Sequence, residues 1–488
     1  MGATLLVSIL CMIGCGGSSP QQGIQQPPLY SGSTTVTLLN SASANDQLIN
    51  VGDVISDITI TDQSGNNIHL LQGAQGIYFK PISGQQQPVV TVSIPQGVYT
   101  KATISLSNQY FECVYMGNGS ADTYASFDNS IPQNSIPLMV PQPIIITGEN
   151  MGLLLNMQVG NSMGWKPNSC GSLSFSTAIS SDFSFTPALT LTAINIPSSP
   201  PNAPNKYFPG LFGQVNSVDA KNNNIDLFLN DYATWSISVD GNTVYQGVSS
   251  LPQIAANISI DFDATLQPDG TLLANRVEVL DTNSENLSYV AGNIIITADD
   301  YPGTPYPGVV NMNVAYSGGP LGGGISSASC LGCNTTTFGI TKQFSNVQNL
   351  PFPASFTMNN MVPGQFVVAT FHELNGLGHA PYAIATTATL LPQTLDGTVS
   401  AIGSDGNFTT YTITLAPYDL FTQFAVQPGQ TTLLTNPSQV VVYADSNTQM
   451  LNTNPIAVSD VVRFYGLVFN DNGTLRMDCA EIFDGVPE

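Results

Sequence analysis

The stretch ISIDFDATLQPDGTLLANRVEVL, residues 258–280, holds two segments in which apolar and polar residues alternate, separated by the turn sequence PDG. Alternation with a period of two is typical of strands that bury one face, and Asp before Gly favours a tight turn. The stretch therefore predicts a β-hairpin. Asp261 and Asp263 alternate on one face of its first strand, and we expect that face to be turned toward solvent.

The same hairpin pattern recurs near the end of the chain as VVRFYGLVFNDNGTLRMDCAEIF, residues 461–483. The segments that precede the two hairpins also correspond, because GQVNSVDAKNNNIDLFL at 213–229 resembles GTVSAIGSDGNFTTYTITL at 397–415. A repeat of this kind indicates tandem copies of one structural unit.

A third, diverged copy fits between these two. It opens with YVAGNIIIT at 289–297 and closes with GQFVVATFHELNGLGHAPYAIATTATLL at 364–391. Strand chemistry also fills the region before the repeats, in segments such as TTVTLL at 34–39 and VVTVSI at 89–94. No segment after the first 14 residues shows a convincing amphipathic helix, so the sequence predicts an all-β protein.

Several of these segments resemble known but uncharacterised bacterial families. SVDGNTVYQG at 238–247 and DGTLLANRVEV at 269–279 resemble a domain family that is common, and often tandem, in exported proteins. VTVSIPQGVYTKATISLS at 90–107 and MGLLLNMQVG at 151–160 resemble a family of lipoprotein β-domains. The resemblance implies a cell-envelope location and an N-terminal β-sandwich followed by tandem small β-barrel-like modules. Neither family supplies a reaction or catalytic residues.

The repeats and the proline-rich segment after the first region give the expected organisation. We expect a signal peptide at 1–14, a lipidated cysteine and flexible tether at 15–31, a β-sandwich domain at 32–197, a Pro-rich linker at 198–209, and three β-modules at 210–282 (module A), 289–392 (module B, with an insertion) and 395–486 (module C).

The N-terminus has the pattern expected of an export signal. Residues 4–14 form an apolar run that is too short to span a bilayer, and a Gly, Ser, Gln and Pro-rich segment follows. Met12, Ile13 and Gly14 before Cys15 resemble the lipobox of bacterial lipoproteins, which implies that Cys15 is lipidated. The alternative is an ordinary cleaved signal with an incidental cysteine.

The charge balance restricts the partners. Nine Lys and Arg residues stand against 32 Asp and Glu residues, for a net charge of −23. A chain with so few cations is poorly suited to neutralise phosphates, so we expect no nucleic-acid partner and no charge-driven binding to anionic lipid. Membrane attachment is expected through the N-terminal lipid instead.

The cysteines suggest disulfides in an oxidising compartment. Cys113 and Cys170 both lie in the first folded region and are candidates for one bridge, and Cys330 and Cys333 in module B are candidates for another. Cys479 is left free or paired in a way that the sequence does not assign.

FHELNGLGH, residues 371–379, is the strongest candidate for metal chemistry. A zinc-protease helix needs two histidines one helical turn apart, whereas His372 and His379 are seven residues apart on a glycine-rich turn. The repeat alignment places them on either side of a hairpin turn. Together with Cys330 and Cys333 they could form a zinc site, against the alternative that the two cysteines form a disulfide.

Aromatic residues crowd module B and its insertion. They either form an exposed platform for sugars or a partner protein, or pack as the core of an extended module. The residues are Tyr289, Tyr301, Tyr306, Tyr316, Phe338, Phe344, Phe352 and Phe356.

The sequence favours a non-enzymatic, lipid-anchored envelope protein with a binding, adhesion or structural role and a glycan or protein ligand. No catalytic motif and no cofactor fingerprint is present. Two alternatives remain: a hydrolase acting on polysaccharides with carboxylates such as Asp261 and Asp263, and a metal-binding envelope protein.

Overall fold

The structure is a computed structural model that describes most of the chain from residue 32 onward. The described residues are 32–42, 48–79, 87–117, 120–128, 135–147, 151–164, 184–185, 187–195, 207–230, 233–267, 271–283, 285–297, 309–321, 328–330, 336–343, 347–375, 382–415, 419, 421–422, 434–450 and 455–484.

The N-terminal region contains two main sheets. Its elements are β1 (Ser33–Ala42), β2 (Leu48–Asp62), β3 (Asn67–Phe79), β4 (Gln87–Pro95), β5 (Gly97–Gly117), β6 (Ser120–Asp128), β7 (Ser135–Leu138), β8 (Ile144–Ile146), β9 (Met151–Met157), α1 (Val159–Ser162), β10 (Met163–Gly164), β11 (Ser184–Phe185) and β12 (Leu189–Asn195). One sheet has the order β12-β9-β1-β4, and the other has the order β3-β2-β5-β6 with β7 and β8 also paired to β5.

These two sheets form a sandwich with a shared apolar core. Leu38 and Leu155 point into that core because alternate residues of a strand face opposite sides. Leu39 and Leu154 lie on the other side of the same sheet, where they pack against the core of module A. The first sheet is therefore buried on both faces.

Module A is a small closed barrel. Its strands are β13 (Tyr207–Asp219), β14 (Asn224–Asn230), β15 (Ala233–Ser238), β16 (Val244–Gln246), β17 (Ser259–Leu266) and β18 (Leu272–Val279), with a 3-10 turn at Leu251–Gln253. The pairings run β13-β14-β15-β18-β17 and return to β13, with β15 and β18 parallel. Such a closed five-stranded Greek-key barrel is of the OB type.

Modules B and C repeat this order. Module B contains β19 (Ser288–Thr297), β20 (Val309–Gly318), β21 (Ala328–Cys330), β22 (Thr337–Ile340), a 3-10 turn (Val347–Asn349), β23 (Phe366–Phe371), β24 (Glu373–Asn375), β25 (Tyr382–Ile384) and β26 (Thr387–Leu390). Module C contains β27 (Gln393–Asp405), β28 (Phe408–Leu415), β29 (Gln439–Ala444), β30 (Gln449–Met450), β31 (Val461–Asp471) and β32 (Thr474–Asp484). In module B the fifth strand is split into β25 and β26.

A turn before the fourth strand is common to the three barrels. One residue adopts a positive φ there, and its amide donates a hydrogen bond to a carbonyl of the first strand. The bonds are Asn257 to Val215 (2.7 Å), Gly364 to Ile294 (2.7 Å) and Ser459 to Val399 (2.8 Å). Asn, Gly and Ser are chemically different residues, so a comparison of the sequences does not show this correspondence. The backbone conformation shows it.

The predicted all-β class is confirmed, as are the sandwich-like N-terminal sheets and the barrel-like modules of the C-terminal half. Among the described residues, no helix has the length and apolar character needed to cross a membrane.

Candidate functional site: a buried charged centre between the modules

The closing hairpin of each barrel carries one outward-facing cross-strand pair at the same register position. These pairs are Asp263–Arg276 in module A, Thr370–Thr387 in module B and Tyr465–Glu481 in module C. In each module the alternate residues of the fourth strand point into the barrel, for example Phe262, Ala369 and Phe464. The outer sides of the hairpins face the neighbouring modules.

Arg276 is the centre of a buried ion-pair cluster in module A. Its Nε donates to Asp263 Oδ2 at 2.8 Å, and its Nη1 donates to Glu278 Oε2 at 2.9 Å. Its Nη2 binds Asp263 Oδ1 at 3.1 Å and also contacts Asp261. One guanidinium therefore holds three carboxylates, in the planar fork geometry that suits bidentate carboxylate binding.

This finding corrects one expectation from the sequence. Asp261 and Asp263 do share a face of their strand, but that face is not exposed, since the two residues are only 1% and 4% accessible. The expectation was wrong because alternation shows which residues share a face and cannot show that another module covers it.

Module B supplies the second wall of the cluster. The Thr341 hydroxyl donates to Glu278 Oε2 at 2.9 Å and lies 3.1 Å from Asp261 Oδ2, while the Lys342 amide donates to Glu278 Oε2 at 2.8 Å. Module A and module B are therefore joined by hydrogen bonds to buried charged groups, which are stronger than bonds between neutral groups.

Module C approaches the cluster at Gly210, where Tyr465 lies against module A. The Gly210 amide of module A donates to Asp263 Oδ1 at 2.9 Å. Gly210 has a φ of +61°, and a Cβ at this position would overlap the hydroxyl oxygen of Tyr465. The glycine therefore permits the close approach of module C to module A.

Burial changes the acidity of these groups. It raises the pKa of Asp261 against the opposing effect of Arg276, and it raises the pKa of Glu278 in the same way, with the charge of Asp261 adding to the shift. Burial alone would lower the pKa of Arg276, but the charges of Asp261 and Asp263 together raise it above its usual value. The guanidinium therefore remains charged.

The geometry of the cluster suits a structural contact between modules better than catalysis. A polysaccharide would have to separate the modules before it reached Asp261 or Asp263, because both are covered and already bonded to Arg276. These two residues therefore do not form the open pair of carboxylates that glycoside hydrolysis uses.

Module A also has an open polar surface, which we call the strand-2 face and define by Asn224, Asp226, Phe228, Ser217 and Ser236. The first three alternate along the outer side of β14, and the serines lie on the adjacent strands. Ser217 and Ser236 donate to the two oxygens of Asp226, each at 2.8 Å, and Asn224 donates to Asp226 Oδ1 at 3.2 Å. The Phe228 residue is 43% exposed.

The insertion of module B packs against the outer sides of β29, β31 and β32 of module C. Phe352 lies 4.9 Å from Tyr443 and 5.9 Å from Phe469, measured between ring centroids. Arg476 stacks over Phe352 at 5.4 Å. Phe352 is 6% accessible and belongs to an apolar cluster that spans modules B and C.

The aromatic residues of module B were predicted to form either an exposed platform or a core. For the residues that the structure describes, burial decides between these two interpretations. Tyr289, Phe352 and Phe356 are buried, and Phe338 is partly buried. Phe352, Phe356 and Phe338 belong to this core, and Tyr289 belongs to a smaller apolar cluster, as the second interpretation predicted. These residues do not form an exposed platform. Tyr301, Tyr306 and Phe344 lie outside the described residues.

His372 lies where the repeat alignment placed it, beside a hairpin. Glu373 pairs with Ile384 and Asn375 with Tyr382, so the predicted strands on both sides of the turn are confirmed. The His372 ring is exposed, and its Nδ1 lies 2.6 Å from Asn286 Oδ1. His379 lies outside the described residues.

The predicted cysteine and metal sites rest mostly on parts of the chain that the structure does not describe. Cys113 lies in β5 and Cys330 in β21, whereas Cys15, Cys170 and Cys333 lie outside the described residues. Within the described ranges, no group of three or more His, Cys, Asp or Glu residues could hold a metal ion. The zinc site and the two disulfides stay predictions. Cys479 is a buried free thiol.

Sequence reasoning missed the charged centre because its partners come from three modules. One signal was available: Arg276 is one of only nine basic residues and stands in a strand that pairs with the Asp261 and Asp263 strand. A rare cation opposite two alternating acids indicates an ion pair. It gives no sign of Thr341, Tyr465 or Glu481.

Comparison with known proteins gives no family. No family model matches the chain, and no curated protein matches it. Three solved chains match, among them "drosophila Unr CSD456", which is 12% identical, covers 58% of this chain and 99% of its own, and superposes with a TM-score of 0.13. A similarity of this size supports no conclusion about function.

Proposed function

We propose that this chain is a non-enzymatic, lipid-anchored protein of the bacterial cell envelope that binds a neutral glycan through the strand-2 face of module A. The supporting observation is that one exposed face of the barrel carries both an aromatic ring and an oriented carboxylate. Phe228 is exposed, and three polar neighbours orient the carboxylate of Asp226.

This chemistry fits a sugar ring. An aromatic side chain offers an apolar surface to the C–H side of a pyranose, and oriented carboxylate and amide groups accept and donate to its hydroxyls. OB-type barrels use this side of the sheet for oligonucleotides and oligosaccharides. A chain with only nine Lys and Arg residues is poorly suited to the first of these ligands. The net charge of −23 repels anionic ligands, so the proposed glycan is neutral.

Binding tests the proposal directly. The mature protein is expected to bind neutral oligosaccharides on a glycan array. Phe228→Ala is expected to weaken that binding about 2- to 13-fold in calorimetry, since aromatic packing contributes about 0.5–1.5 kcal/mol. Ile402→Ala is the matched control, because Ile402 is 42% exposed on module C, away from the strand-2 face.

The outcomes separate the site from the function. If Phe228→Ala and Asp226→Asn leave glycan binding unchanged, the strand-2 face is not the binding site. The glycan-binding function itself would still stand. A protein that binds no glycan on the array, and instead captures a partner protein in a cross-linking experiment, would contradict the glycan proposal itself.

Anchoring is tested separately. Globomycin treatment or Cys15→Ala is expected to block cleavage before residue 15, so that the longer precursor with its apolar signal accumulates, because processing at a lipobox requires the lipid-bearing cysteine. Cys11→Ala is the control and is expected to be processed normally. Normal cleavage of Cys15→Ala, or of the wild type in the presence of globomycin, would contradict the anchor.

A further inference from the structure

The Thr341 hydroxyl of module B lies between two buried carboxyl groups of module A. Its oxygen is 2.9 Å from Glu278 Oε2 and 3.1 Å from Asp261 Oδ2. It also accepts a hydrogen bond from the Gln343 amide at 3.3 Å. A hydroxyl has one proton to donate and two lone pairs that accept. Thr341 can therefore donate to one of the two carboxyl groups, and a hydrogen bond to the other needs a second proton.

Glu278 is the acceptor of the Thr341 proton. Its Oε2 also accepts from the Lys342 amide at 2.8 Å and from Arg276 Nη1 at 2.9 Å, so three donors converge on this one oxygen. Such an oxygen belongs to an ionised carboxylate, which only accepts. Asp261 Oδ2 is then left facing a lone pair of the Thr341 oxygen at 3.1 Å.

We propose that Asp261 carries a proton when modules A and B are docked, that it donates this proton to Thr341, and that loss of the proton at higher pH loosens the contact between the two modules. The hydrogen bonds then run from Asp261 through Thr341 to Glu278, and each proton has an acceptor. When Asp261 is ionised, two oxygen lone pairs face each other instead. This is costly because Asp261 is 1% accessible and Glu278 is 4% accessible, so water cannot compensate.

The charged groups around Asp261 belong to several elements. Asp263 lies two residues along the same strand, and Arg276 on the paired strand binds both acids. Lys342 contributes its amide, while its side chain is exposed. The groups that interact electrostatically with Asp261 or Asp263 from neighbouring strands and from module C include Glu278, Tyr207, Tyr465 and Glu481.

The direction of the pH dependence follows from the docked geometry. The pKa of Asp261 is raised above its ordinary value of 3.8, mainly because burial disfavours the charged form; Arg276 opposes this rise and Asp263 adds to it. The docked state therefore binds the proton more tightly than the separated state does. Docking is strongest at low pH, and it weakens as the pH rises from about 3.8 through the raised pKa of the docked state.

Hydrogen exchange of the full mature chain tests this proposal at two neighbouring amides. The Lys342 amide reports docking, because its acceptor, Glu278 Oε2, belongs to module A. The Thr341 amide reports module B alone, because it donates to the Leu390 carbonyl at 3.0 Å. After correction for intrinsic exchange, the Lys342 amide is expected to exchange about tenfold faster at pH 8.5 than at pH 5.5, the change that one pH unit of titration produces. The Thr341 amide is expected to keep the same corrected rate.

Two variants assign the proton. Asp261→Asn supplies a permanent donor in place of the titrating proton and is expected to remove the tenfold difference. Asp396→Asn is the matched control, since Asp396 is 5% accessible and binds Arg463 in module C at 2.7 and 2.9 Å, and it is expected to keep the difference.

Equal corrected exchange of the wild-type Lys342 amide at the two pH values would overturn the proposal. A tenfold difference that persists in Asp261→Asn, or that disappears in Asp396→Asn, would overturn it as well. If Asp261→Asn fails to fold, the wild-type comparison of the Lys342 and Thr341 amides decides, because equal acceleration of both would show unfolding of module B rather than undocking.

Discussion

Replacing Arg276 with methionine is expected to lower the free energy of unfolding of the three-module unit by about 3–5 kcal/mol. The substitution keeps the apolar volume of the side chain but removes the one cation that holds Asp261, Asp263 and Glu278. Breaking a buried ion pair from one side is costly because the remaining charges stay out of water without a partner.

Urea denaturation measures this loss, with tryptophan fluorescence as the signal. Trp235 packs against the core of module A, so a Trp165→Phe background makes it the only tryptophan reporter. Lys342→Met is the control, since the exposed Lys342 side chain lies beside the cluster while its amide keeps the bond to Glu278. This control is expected to change stability by no more than about 0.5 kcal/mol. Equal losses in both variants would contradict a special role for Arg276.

Gly210→Ala is expected to destabilise the protein by about 2–4 kcal/mol, the sum of a left-handed backbone cost and an overpacked contact. Gly210 has a φ of +61°, and the new methyl group would meet both the Tyr465 hydroxyl and the Gln343 side chain. Because Tyr465 belongs to module C, this loss reports the contact between the modules.

A control and a rescue isolate that contact. Gly406→Ala has a similar φ of +59° but no atom within 4 Å of the new methyl group, so it is expected to cost only the backbone part, about 1–2 kcal/mol. Tyr465→Phe removes the overlapping oxygen and is expected to recover about 1 kcal/mol of the Gly210→Ala loss in a double-mutant cycle. Additive effects of the two substitutions would contradict the docking of module C at Gly210.

The outer sheet faces of the three modules differ in what covers them. The outer sides of the closing hairpins are used for cohesion, and the insertion of module B covers module C through Phe352. The strand-2 face of module A carries polar groups and an exposed ring instead.

Periodicity in the sequence was enough to identify the hairpins and their repetition. The alternation in residues 258–280 and 461–483 determined which side chains share a face, and Phe262 and Phe464 lie in the barrel cores as alternation requires. The diverged middle copy was also found, because its strands kept the same pattern around FHELNGLGH.

The sequence by itself determined the local features: the strand period, the turn positions and the repeat length. These features depend on residues that are near one another in the chain. Only the tertiary structure decided which faces are covered. Glu278 contacts Thr341 across 63 residues of sequence, and Gly210 lies against Tyr465 across 255 residues. Alternation makes a polar face equally compatible with water and with a second polar face, and the packing of whole modules selects between the two.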